Sequence, residues 1–91
     1  MGQVLLVEDA SFFERVIRRQ LSEIHGLEVV SATNRAEAEA LLARPDFNPV
    51  VALVDLTLPD APDGEIVDVT LAADLPTIVF SGRFDQALRH T

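Results

Sequence analysis

The chain has no cysteine, no tryptophan, no tyrosine and no lysine; its seven basic residues are all arginine. Without cysteine there is neither a disulfide framework nor a thiolate metal site, which fits a reducing compartment. No stretch approaches the roughly 18 consecutive apolar residues of a membrane helix. The N-terminus, MGQVLLVED, has no basic region, and its apolar run is too short for a signal peptide. Met1-Gly2 opens a myristoylation motif, but Leu6 stands where that motif needs Ser or Thr. The expectation is a cytoplasmic protein that does not engage a membrane. Positive charge is scarce: 7 basic against 15 acidic residues give a net charge of −8. Such a segment repels phosphate backbones, so it is not expected to bind nucleic acid directly. The acidity serves solubility or gathers at a cation site, and positions must decide between them.

With 91 residues, 48 % of them apolar, the chain suits one domain with a real core. Residues 3–7 form a short apolar run ending in acids, too short for a helix, and read as a buried parallel strand. Ser11 and Glu14 have the spacing of a capping box before a helix whose apolar stripe is Phe13, Val16, Ile17, Leu21 and Ile24. Gly26 ends that helix. A second strand covers residues 27–32. Asn34 and Glu37 repeat the cap pattern before a helix with Ala36, Ala38, Leu41 and Leu42 on its apolar face, stopped by Pro45. Val50–Val54 is the clearest strand. A turn-rich loop over 56–64 holds Pro59, Pro62 and Gly64. A helix over 65–74 offers Ile66, Val67, Val69 and Leu71 for burial. A fourth strand covers 76–81, Gly82 breaks it, and 84–91 begins a fourth helix. This alternation predicts an α/β fold with right-handed crossovers and a parallel sheet covered on both faces.

In such sheets, sites lie beyond the carboxyl ends of the strands. Strand one ends in Glu8-Asp9, strand three in Asp55, and strand four in Ser81-Gly82. If strands one and three are neighbours, three carboxylates converge. Their repulsion costs stability unless a cation sits among them. An all-oxygen set suits Mg²⁺, which takes a few carboxylates, keeps several waters and leaves room for a phosphoryl oxygen. An acid after a strand is otherwise a helix cap or a solvated loop residue, and for Asp55 alone that ordinary reading competes evenly.

The motifs VLLVEDA, VVALVDLTLPD and PTIVFSG together resemble the receiver domains of two-component response regulators. That resemblance spans the whole chain, residues 1–91. It implies a flavodoxin-like, doubly wound parallel sheet of strand order 2-1-3-4-5, here lacking the last strand and helix. Asp55 would be the phosphoacceptor for a histidine kinase or phosphotransfer protein. Glu8, Asp9, Asp55 and the backbone carbonyl of Thr57 would hold Mg²⁺. Ser81 and the Gly82 amide would bind phosphoryl oxygens, and Pro59 would shape the loop. The domain would be a regulator rather than an enzyme, controlling an output domain elsewhere in a longer protein. The stretch LPDAPDGEIVD looks most like receivers joined to diguanylate cyclase (GGDEF) domains. Two departures concern the phosphoryl group: the family's lysine after strand five is absent, and so is the aromatic switch residue of that strand. Gly64 also lies one position further from Asp55 than is usual.

The lost lysine supports a second reading, a receiver-like interaction module that is not phosphorylated. A haloacid-dehalogenase-type phosphatase needs a second Asp two residues after the nucleophile, where this chain has Thr57. No G-x-G-x-x-G follows strand one, against a dinucleotide site. His25 and His90 lack a second histidine at metal spacing. Arg15, Arg18 and Arg19 make either a solvated helix face or a kinase-docking face, and one of Phe12 and Phe13 is core while the other is free for a partner. With no fifth strand, strand four exposes Ile78, Val79 and Phe80 and invites a dimer or swapped assembly.

Overall fold

The structure, a computed structural model, describes residues 2–80. The elements run β1 (Gln3–Val7), α1 (Ser11–His25), β2 (Glu28–Ala32), α2 (Arg35–Leu42), β3 (Pro49–Asp55), α3 (Ile66–Ala72) and β4 (Thr77–Phe80). They build one four-stranded sheet of order β2-β1-β3-β4, with every pair parallel. This is the expected α/β architecture and the expected order of the first four strands. The fourth helix predicted over 84–91 lies outside the described residues. Among the described residues no helix is long and apolar enough to cross a membrane.

The central strands read as they should. Val4, Leu5, Leu6 and Val7 of β1 are fully buried, because a parallel strand flanked on both sides has no solvent face. Leu5, Val7, Ala52 and Val54 join Ala32, Ala38, Phe47, Leu58, Ala61, Ile66 and Leu75 in one core beneath α2 and α3. Burying each Leu or Val here is worth roughly 1.5–3 kcal/mol, so β1 and β3 form a rigid pair. β3 begins and ends one residue outside the predicted run. Asp55 is therefore the last residue of the strand itself, paired in register with Phe80.

The helices depart from expectation in instructive ways. Gly26 caps α1 in the left-handed conformation, φ 65°, as predicted. At the other end, however, the N-cap is Ala10, and no side chain caps the helix. Ser11 is the first helical residue, and Glu14 turns inward instead, accepting from the Ser31 hydroxyl of β2 and pairing with Arg18. Glu14 is the only buried residue of α1, while Phe13, Val16 and Ile24 of the predicted stripe stay exposed. α1 lies over β2 and β1, so it covers only half of its side of the sheet. The Asn34 cap does form, with its side chain accepting from the Glu37 amide. α2 ends at Leu42, buries Ala38 and leaves Ala36 outside. In α3, Thr70 is buried beside Ile66, and Leu71 faces solvent.

Candidate functional site

Because β1 and β3 are adjacent and parallel, Glu8 follows directly on β1 as Asp55 ends β3 at the same sheet edge. Glu8 and Asp55 are buried and Asp9 is exposed. One carboxylate oxygen from each of Glu8, Asp9 and Asp55 lies within 4.8 Å of the others. Each buried acid is oriented by a backbone amide two residues ahead. The Ala10 amide donates to Glu8 Oε1 at 3.0 Å, and the Thr57 amide donates to Asp55 Oδ1 at 3.0 Å.

Electrostatics at this edge is out of balance. Burial pushes the Glu8 carboxyl up to about 7; the Ala10 amide opposes that shift, and the charge of Asp55 adds to it. No cationic side chain pairs with Glu8, Asp9 or Asp55 among the described residues. The donor set is all oxygen, with two buried members and one facing water. It fits a hard divalent cation that keeps part of its hydration shell.

The sequence-predicted residues thus divide. Glu8, Asp9 and Asp55 are brought together. Thr57 is half-buried beside Asp55, its amide already engaged there. Pro59 is at the exposed tip of a tight turn closed between Leu58 and Ala61. Ser81 and Gly82 lie outside the described residues. Sequence reasoning assigned no role to Asp60, whose carboxylate accepts from the Arg35 and Ala36 amides at the start of α2 at 2.8 and 3.0 Å. The partners are 25 and 24 positions apart, and no local motif signals such a bond.

A doubly wound parallel sheet of this order, with three carboxylates on its carboxyl edge, defines a receiver-type α/β domain. No protein-family model matches the chain. It is 29 % identical over 86 residues to an uncharacterized response regulatory protein of Yersinia pestis, covering 94 % of this chain and 36 % of that protein. It is similar to the structure of a two-component response regulator/GGDEF domain protein, with 34 % identity and a TM-score of 0.76, over 99 % of this chain and 37 % of the other. It also shares the fold of the MaeR response regulator bound to beryllium trifluoride, with 22 % identity and a TM-score of 0.77, over 97 % and 77 % of the two chains. The chain has the receiver-domain fold of response regulators, and it spans about a third of the length of the curated relative it matches.

Proposed function

We propose that this domain is the phosphoacceptor of a two-component response regulator, acting in the cytoplasm. Asp55 is its nucleophile. A carboxylate oxygen of Asp55 attacks the phosphorus of a phosphohistidine on a histidine kinase or phosphotransfer protein. The new P–O bond forms as the P–N bond breaks, and the histidine nitrogen keeps the electron pair. Glu8, Asp9, Asp55 and the Thr57 backbone carbonyl would hold Mg²⁺. When bound, Mg²⁺ supplies neutralisation of the charge on the transferring phosphoryl group. The chain's own part is positional. The rigid end of β3 presents Asp55 in line, and the Thr57 amide fixes its carboxylate while one oxygen stays free to attack. Ser81 and the Gly82 amide are proposed to receive the phosphoryl oxygens. The added charge, about −1.5 to −2, then biases the surface read by an output domain elsewhere in the longer protein. A diguanylate cyclase is the output we favour, since a solved neighbour carries a GGDEF domain. The domain itself acts as a regulator, not as an enzyme.

The observation that carries this reading is the convergence of Glu8, Asp9 and Asp55 within 4.8 Å at the carboxyl edge of the sheet. Beryllium trifluoride, bound in the MaeR structure, is a suitable probe. With Mg²⁺ present, its addition is expected to shift the amide resonances of residues 8–10 and 55–58, and Asp55→Asn is expected to abolish the response. The alternative outcome is an interaction module that is not phosphorylated. A wild-type protein that gives no Mg²⁺-dependent shift would establish the module instead.

A further inference from the structure

Asp60 follows Pro59 in the loop after Asp55, and the phosphoryl-transfer reading gives it no task. We propose that Asp60 is a positioning residue of the acidic site: its carboxylate clamps the β3–α3 loop to the first turn of α2 and thereby holds the Thr57 backbone against Asp55.

The first amides of a helix have no partner within it. In α2 they are divided between two sources. Asn34 Oδ1 accepts from Glu37 at 2.8 Å, as a local N-cap does. The Arg35 and Ala36 amides go instead to the two oxygens of Asp60, at 2.8 and 3.0 Å. A bidentate acceptor fixes the orientation of the carboxylate as well as its distance, and the positive end of the helix favours its charge. The Arg35 amide foremost holds the Asp60 carboxyl below the usual carboxylate range.

On the loop side the link to Asp55 is short and stiff. Leu58 and Ala61 exchange backbone hydrogen bonds of 3.4 and 3.2 Å, and both side chains are buried. Pro59, with its fixed φ, and Asp60 form the tip of this turn. Thr57 is the next residue back, and its amide donates to Asp55 Oδ1. A displacement at Asp60 therefore reaches Thr57 through Pro59 and Leu58, whose torsions are already constrained. The bond also joins two loops at the functional edge, which a cap supplied from within the β2–α2 loop would not do.

The metal half of this inference rests on the function proposed above; the loop half does not. The test compares Asp60→Ala with Asn34→Ala, which removes a cap from the same helix without touching the loop. Two quantities are read by ¹⁵N NMR on folded protein: the exchange rate of the Thr57 amide without metal, and the Mg²⁺ affinity. Outer-shell partners of a metal site are worth roughly 10–100-fold in affinity, and Asp60 acts one step further out. Asp60→Ala is thus expected to accelerate Thr57 exchange and to weaken Mg²⁺ binding by about tenfold. Asn34→Ala is expected to leave both unchanged while costing similar stability. The clamp is overturned if Asp60→Ala leaves Thr57 exchange at the wild-type rate, or if Asn34→Ala accelerates it equally. If Thr57 exchange accelerates in Asp60→Ala while even wild type shows no Mg²⁺ response, the clamp stands and the metal reading fails.

Discussion

Glu8 is the residue through which this site reports on pH. Its carboxyl is raised to about 7 from an ordinary 4.5, first by burial and then by its neighbour Asp55. Between those values the folded protein binds a proton that the unfolded chain releases, so stability falls as pH rises. In metal-free protein this contribution is present below about pH 4.5 and is gone once pH exceeds about 7. Urea unfolding followed by circular dichroism at pH 5.5 and pH 8 is expected to give the lower stability at pH 8, and Glu8→Gln is expected to flatten the difference. Mg²⁺ bound at the proposed site would work in the opposite direction, because the ligand must be deprotonated. Its stabilising effect is therefore expected to be larger at pH 8 than at pH 5.5. Equal stabilisation at both pH values would remove Glu8 from the ligand set. The site was legible at this scale because its acids end buried strands, and a strand end is a fixed address. Glu8 and Asp9 follow one apolar run and Asp55 closes another, so a parallel pairing of those runs suffices to bring them together.

Helices carry the part of the fold that sequence reports less faithfully. Ser11-x-x-Glu14 and Asn34-x-x-Glu37 have the same capping signature, yet only the second forms a cap. The reason is a competing partner: Glu14 is drawn inward by Ser31 and Arg18. Glu37, exposed, is free to reach back to the Thr33 amide and hydroxyl at 2.6 and 2.7 Å. Substitution separates the two ends. Asn34→Ala is expected to cost about 1 kcal/mol, while Ser11→Ala is expected to stay within about 0.5 kcal/mol of wild type. Glu14→Ala leaves the Ser31 hydroxyl without its acceptor and is expected to cost roughly 1–3 kcal/mol. Chemical unfolding of the three variants checks the order, and a Ser11→Ala loss as large as that of Asn34→Ala would contradict the assignment of Ala10 as the cap. The Glu14–Ser31 and Asp60–Arg35 contacts were not legible, since each joins residues 17 or 25 positions apart. Only the packed fold makes them neighbours. The period of the α1 stripe was legible, but not how much of it is buried; that depends on where the helix comes to rest.

At the scale of the whole molecule the two faces of the sheet are unequal. Below α2 and α3 lies the core. On the other side α1 covers β1 and β2, and no described element lies over β3 and β4. Thr77 Oγ1 donates to Thr70 Oγ1 of α3 at 2.8 Å, which turns Thr77 and Val79 toward the α3 side and Ile78 toward the open one. Ile78 pairs in register with Leu53, and it is 57 % exposed. Val79 is 44 % exposed on the opposite face, and among the described residues no strand pairs with the outer side of β4. An apolar strand edge of this kind is a template for another chain, and the expectation is a dimer or swapped assembly through β4. The net charge of −8 opposes it. Charge repulsion reaches about 10 Å at 0.1 M salt and only about 3 Å at 1 M, so association is expected to strengthen with both protein concentration and ionic strength. Sedimentation velocity should then show a weight-average coefficient that rises along both axes. Ile78→Lys places a charge on the open face, so it is expected to hold the protein monomeric while changing stability by no more than about 0.5 kcal/mol. A wild-type coefficient that stays monomeric at every concentration and salt would show that this edge is not an interface between copies of the chain.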